Sequence, residues 1–187
     1  HRVANSLQII ASVLMQSARQ VQSEETRSHL HDAHHRVMSI ATLQKQLAAS
    51  RLGDVELRAY FSDLCRSIGA SMIDDPDRLS INTTVDDSMV CAEVSVSLGL
   101  IVTELVINAL KHAFLQGRSG KISVDYLSQG TGWKLTVGDN GIGMPTGNEG
   151  VKPGLGTGII EALARQMEAS VIVSDAAPGT MVSIVHA

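Results

Sequence analysis

The sequence predicts an α+β chain in two modules. An antiparallel helical hairpin over residues 1–50, paired into a dimeric four-helix bundle, is followed by a hinge over 51–55 and an α/β sandwich with a mixed sheet over 56–187. Three observations lead there. Apolar residues recur at alternating intervals of four and three along the first part of the chain; the pattern fails at Ala49-Ser50-Arg51-Leu52-Gly53-Asp54-Val55; beyond that point, segments of helical period interleave with segments that alternate every second residue.

The first helix is read from Val3, Leu7, Ile10, Leu14, Ser17 and Val21. Leu30, Ala33, Val37, Ile40 and Leu47 give the second, with one interruption at Gln44, and the two join near Gln22-Ser23-Glu24. An apolar seam of this length is too long to bury within one hairpin, so a homodimer is expected. After the hinge, Leu57 to Ile68 reads as helix and Leu79 to Val85 as strand, with Asp74-Asp75-Pro76-Asp77 turning between them. Leu98, Ile101, Val102, Leu105, Val106, Ala109 and Leu110 recur at helical spacing and would face a core. Lys121 to Leu127 and Trp133 to Val137 alternate as paired strands around Gln129-Gly130-Thr131-Gly132. Leu155 to Met167 returns to helix, and Ser170 to Ser174 and Met181 to Val185 close the sheet through Ala177-Pro178-Gly179. Strands of this kind, with helices between them, imply a mixed sheet covered by helices on one face.

Composition narrows the function classes. A hydrophobic content of 44% with only 3% aromatics predicts an aliphatic core. No apolar run approaches the ~20 residues of a membrane-spanning helix, so no membrane contact is expected. A net charge of −4, with no Lys or Arg stripe interleaved with aromatics, argues against nucleic acid. Cys65 and Cys91 have no metal-type spacing, and a reducing, cytoplasmic setting is the simplest expectation.

Three segments carry chemistry. Asp139-Asn140-Gly141-Ile142-Gly143 sets a carboxylate beside backbone that can turn sharply. Gly154-Leu155-Gly156-Thr157-Gly158 lets main-chain N–H groups approach an anion. It is not a dinucleotide fingerprint, because its third glycine comes one residue too early and no strand precedes it directly. Glu104, Asn108 and His112 repeat every fourth residue along one helical stripe, with Lys111 beside it. Carboxylate, amide, cation and glycine turns in this order describe a nucleotide pocket. His29, His31, His34 and His35 crowd the second helix, but the only nearby carboxylate, Asp32, sits off the face shared by His31 and His35; pH sensitivity fits better than a metal.

Together these segments resemble the N, G1 and G2 boxes of the GHKL (Bergerat-fold) ATPase family, which includes gyrase and bacterial histidine kinases; the resemblance covers roughly residues 56 to 187. It implies that Asn108 binds Mg²⁺ carried by ATP, with Glu104 as a catalytic residue of the same stripe. Asp139 would accept the adenine amino group, with Gly141 and Gly143 shaping that side. Gly154, Leu155, Gly156, Thr157 and Gly158 would form the phosphate-side turn, with Lys111 and His112 as phosphate neighbours. Thr180, in Pro178-Gly179-Thr180, either helps hold adenine through water or is simply a hairpin-turn residue. The stretch Met144 to Pro153 resembles the mobile lid over ATP, and poor order without nucleotide is expected there.

At the other end, His1-Arg2-Val3-Ala4-Asn5-Ser6-Leu7-Gln8 resembles the phosphoacceptor motif of the HisKA_2 and HWE histidine kinases. His1 is then the phosphoacceptor. Asn5, one turn later, is a candidate for orienting water or the receiver's phosphoaspartate, or a polar residue facing solvent. His35-Arg36-Val37 repeats the first three letters but lacks the following Asn. HWE relatives carry Trp-x-Glu in the ATP-binding domain, whereas Trp133 is followed by Lys134 and Leu135, which moves the resemblance to HisKA_2. The resemblance implies ATP- and Mg²⁺-dependent autophosphorylation on histidine, then transfer to an aspartate of a response regulator. It also implies an upstream sensory domain absent from this chain. Two other readings stay open: a dimeric phosphotransferase scaffold inactive toward ATP, and an anti-sigma-type serine kinase or ATPase.

Overall fold

The computed structural model describes residues 2–49, 53–143 and 155–187. Helices α1 (Arg2–Gln20) and α2 (Glu24–Ala49) form the hairpin. The start of α2 is set locally: Ser23 Oγ accepts the N–H of Thr26, and Glu24 and Glu25 lie in the first turn, where negative charge opposes the helix dipole. Arg27 reaches back to the carbonyls of Ala18 and Val21 and ties the turn shut.

Within one chain, the contact between α1 and α2 runs through small residues. α1 buries Ala4, Ala11 and Ala18, seven residues apart, with Leu7 and Leu14 half-buried beside them. Val3 and Ile10 are exposed, as are Ile9 and Val13. Alanine lets two backbones approach closely, so the small residues take the intrachain contact and the large ones are left outside. On α2 the buried positions are His35, Ser39, Ala41 and Leu43. Leu43 joins the core of the second module, and the side chain of Leu47 lies outside the described residues.

Asp54 and Val55, read from sequence as the end of a hinge, open a three-residue strand, β1 (Asp54–Glu56), with Val55 fully buried. It pairs antiparallel with a second short strand, β3 (Met89–Cys91). Residues 51 and 52 of the expected hinge lie outside the described residues. Helix α3 (Leu57–Met72) buries Leu57, Tyr60, Phe61, Leu64, Cys65 and Ile68, one stripe at helical spacing.

The main sheet has five strands in the order β2-β4-β5-β7-β6. β2 (Leu79–Val85) runs parallel to β4 (Gly120–Gln129), and the other neighbours, β5 (Gly132–Asp139), β6 (Ser170–Asp175) and β7 (Thr180–His186), are antiparallel. The parallel pair requires a long crossover, and helix α4 (Ala92–His112) lies within it. Ile122, Val124 and Tyr126 of β4, Leu135 and Val137 of β5 and Ile184 of β7 are buried toward the helices. Against them pack Leu98, Ile101, Val102 and Val106 of α4. α5 (Leu155–Gln166) adds Ile160 and Ala164 to the same core.

α4 is the central beam. Among the described residues it is the one helix long and apolar enough to cross a membrane, against the expectation that no apolar run approaches that length, and 67% of its apolar window is buried inside the fold. Gly99 sets its contact with α3. A Cβ there would stand 1.8 Å from the hydroxyl of the fully buried Tyr60.

Candidate functional site

Asp139 ends β5 and opens the G1 segment. Its Oδ1 accepts the N–H of Gly141 at 2.9 Å and the N–H of Thr180 at 3.4 Å. Two donors on one oxygen fix the carboxylate, and no described residue donates to Oδ2, which is left to accept from a ligand. The turn after it is pressed onto the C-terminal end of α4. Ile142 N–H donates to the carbonyl of Ala113, and a Cβ on Gly141 would lie 2.3 Å from that carbonyl oxygen. Gly143 has φ +74°, and Gly179, at φ +104°, lies so close to Asp139 that a Cβ would meet its carbonyl oxygen at 1.8 Å. Only glycine allows both the backbone conformation and the approach.

The other end of the site is built on α4. Glu104 is buried, at 5% exposure, Asn108 and Lys111 are half-buried and His112 is exposed. Gly156, in the first turn of α5, faces this stripe: a Cβ on it would stand 2.6 Å from Glu104 Oε2 and 3.7 Å from Asn108 Nδ2. Thr157 and Gly158 follow on the exposed side of that turn. Thus Asp139, Gly141, Gly143 and Thr180 gather at one end, and Glu104, Asn108 and Gly156 at the other. Gly154 lies outside the described residues, as does Met144 to Pro153, and of Leu155 only the backbone is described. His1 also lies outside them, and Asn5 is exposed on α1.

A group from the hairpin enters this arrangement that the sequence did not single out. Arg36 of α2 makes a two-point contact with Glu104, Nε to Oε1 and Nη2 to Oε2, the second at 3.0 Å. That contact raises the guanidinium above its ordinary value, chiefly through the side-chain hydrogen bond to Glu104. One turn earlier, Asp32 Oδ1 accepts from Lys111 Nζ at 2.5 Å, and one turn earlier again Ser28 Oγ accepts from the same ammonium at 2.9 Å. The signal was present: Ser28, Asp32 and Arg36 fall four residues apart and share a face. What was missing was the partner helix, far off in the chain.

His35, beside Arg36, is buried, and burial above all lowers its imidazole to about 4; His34, His31 and Lys111 push the same way and Asp32 opposes them. His34 Nδ1 lies 3.0 Å from the carbonyl of Ala11 and so ties the two hairpin helices. Among the described residues no three His, Cys, Asp or Glu side chains gather as a metal site would need. Two open clefts lie elsewhere, one between α3 and β2 around Cys65, Arg66 and Ile81, the other over Asp125, Tyr126 and Lys134.

The pocket's chemistry suits a nucleotide. One end presents a fixed carboxylate acceptor in a glycine-lined turn, and the other presents an amide, an ammonium and a helix start whose glycine leaves room beside the stripe. A side chain at Gly141 would collide with Ala113 and one at Gly156 with the Glu104 carboxylate.

Comparison with known proteins bears on the same two regions. Residues 1–72 match HisKA_2, described as histidine kinase, and residues 93–186 match HATPase_c, described as the histidine kinase-, DNA gyrase B- and HSP90-like ATPase. The chain is 31% identical over 149 residues to the sensor histidine kinase PdtaS of Mycolicibacterium smegmatis, covering 79% of this chain and 30% of that protein. It is 29% identical over 192 residues to the blue-light-activated histidine kinase 2 of Erythrobacter litoralis, covering 98% of this chain and 54% of that one. The chain therefore spans between about a third and about a half of the length of these curated relatives. The histidine kinase domain of a blue-light-activated kinase from Erythrobacter litoralis superposes with a TM-score of 0.74 at 24% identity, over 95% of this chain and 94% of that one, a likeness of fold.

Proposed function

Since this chain belongs to the histidine kinases, with a HisKA_2 hairpin followed by a GHKL ATP-binding domain, we propose that it binds ATP with Mg²⁺ between Asp139 and Asn108 and phosphorylates His1. One observation supports this above the others: a single helix, α4, joins a carboxylate fixed by two N–H groups at one end to the Glu104, Asn108 and Gly156 cluster at the other.

In this reading Asp139 Oδ2 takes the exocyclic amino group of adenine, and the glycines at 141 and 143 let the base lie against backbone. The amide oxygen of Asn108 is a hard ligand suited to Mg²⁺, which would screen the phosphate charge. Lys111 neutralises a phosphate oxygen, and the start of α5 adds N–H donors. An imidazole nitrogen of His1 attacks the γ-phosphorus, the bond to the β-phosphate oxygen breaks, ADP leaves and the imidazole proton passes to solvent water. The phosphoryl group then passes to an aspartate of a response regulator. The outward stripe of Val3, Ile9, Ile10 and Val13 supports pairing with a second copy through the hairpin.

Incubation with γ-labelled ATP and Mg²⁺ tests the reading. Label that is acid-labile, alkali-stable and absent from His1→Gln supports it. Label stable to acid on serine points to the serine kinase, and no label with intact nucleotide binding points to a transfer scaffold.

A further inference from the structure

α2 offers α4 two charges, each the reverse of the one it meets. Glu104 faces the guanidinium of Arg36, and Lys111 faces the carboxylate of Asp32 with the hydroxyl of Ser28 beside it. Glu104 and Lys111 lie about two turns apart on one helix, and Asp32 and Arg36 one turn apart on the other. Glu104 is too buried to stand alone, since a buried carboxylate whose partner withdraws is left uncompensated. Arg36 therefore leaves only when another cation arrives. A polyanion reaching for Lys111 must likewise displace a carboxylate already seated on it.

We propose that Ser28, Asp32 and Arg36 form an internal stand-in for the phosphate and cation of Mg²⁺-bound ATP, holding Lys111 and Glu104 from the hairpin until nucleotide replaces them. The inference rests on the reading of Asn108 and Lys111 as the phosphate end of the pocket. It makes the grip of α2 on α4 and the binding of triphosphate mutually exclusive at Lys111, so each weakens the other by the same factor. The adenine end is held separately, by the backbone N–H groups of Gly141 and Thr180 on Asp139, and none of these takes part in the exchange.

The test separates the two ends by ligand. Calorimetric titration of the whole chain with Mg²⁺-ATP, and separately with adenosine, is compared between the unaltered protein and Asp32→Asn, which removes the charge and keeps the size. Asp32→Ser serves as a second variant, and a thermal melt checks that each is folded. The expected result is tightening of ATP by about fivefold, the scale of a partly exposed ion pair, with adenosine unchanged within about twofold. ATP affinity that is unchanged or weakened in both variants, or adenosine that tightens equally, overturns the stand-in while leaving the pocket intact. An unaltered chain that binds adenosine but no ATP, or neither, instead removes the reading of the pocket, and the inference falls with it.

Discussion

Arg36 closes on Glu104 with two nitrogen donors from a position 68 residues earlier in the chain, and only 6% of the carboxylate side chain and 21% of the guanidinium side chain meet solvent. Removing one partner strands the other. Arg36→Leu is expected to lower stability by about 3 kcal/mol, a fall in Tm of about 6–12 °C, because it leaves a buried anion unpaired. Arg36→Leu combined with Glu104→Leu should regain most of that loss, since two apolar groups of similar size need no partner. Chemical denaturation of the single and double variants checks it; a double variant as unstable as the single one contradicts it.

His35 predicts a loss of stability in mild acid. Folded, its imidazole is lowered to about 4 by burial, while unfolded it returns to 6.5. The unfolded chain thus binds the extra proton first, so the stabilisation is complete above pH 6.5 and fades as pH falls toward 4. Unfolding free energies from urea titrations at pH 7.5, 5.5 and 4.5 should fall by about 2 kcal/mol across that window. His35→Gln should flatten the slope, and a slope that persists in His35→Gln assigns it to other groups.

Gly156 should tolerate no side chain without cost to the pocket. The carboxylate it would strike is held by Arg36 and cannot swing aside. The first turn of α5 can back away instead, which preserves the fold and even gains helix propensity, but moves the phosphate-side rim. Gly156→Ala is expected to weaken Mg²⁺-ATP binding by about tenfold or more, the effect of ~1–3 kcal/mol of overpacking, with stability changed by less than about 1 kcal/mol. Titration beside a thermal melt reads both quantities, and unchanged ATP affinity would count against Gly156 as part of the site.

Ile10 tests the outer stripe of the hairpin. It is exposed within one chain, so Ile10→Glu should cost the monomer no more than about 0.5 kcal/mol. In a twofold-symmetric pair the same change sets like charges opposite each other, and dimer affinity should fall by about a hundredfold. Sedimentation over a range of concentrations decides it: identical association for both proteins would place the contact elsewhere.

The five-stranded sheet and the helices packed on it were legible because each buries one face, and burying one face writes a period into the sequence. Val124, Tyr126, Leu135 and Val137 alternate as a half-buried strand must, and the apolar stripe of α4 repeats every three or four residues. β1 was illegible for the opposite reason: three residues with one buried valine between two acids carry no period at all. Which residues of α1 face α2 within one chain is not written in the heptads, because Ala4, Ala11 and Ala18 take the close contact while Val3 and Ile10 stay exposed. Of the candidate site, Asp139, Gly141, Gly143 and Gly156 stand out from turn chemistry and Asn108 from its helical stripe. Arg36 and Asp32 were not singled out, since their shared face on α2 does not name its partner and α4 lies far along the chain.

Glu104 touches the guanidinium of the stem on one side and stands beside the first turn of α5 on the other, so one functional group belongs to both halves of the molecule. A push at either half needs no relay of packed residues to be felt at the other; one carboxylate changing allegiance is enough. Regulation at this junction would be a matter of which positive charge the acid accepts, and its sharpness would be set by how little room Gly156 leaves for both answers at once.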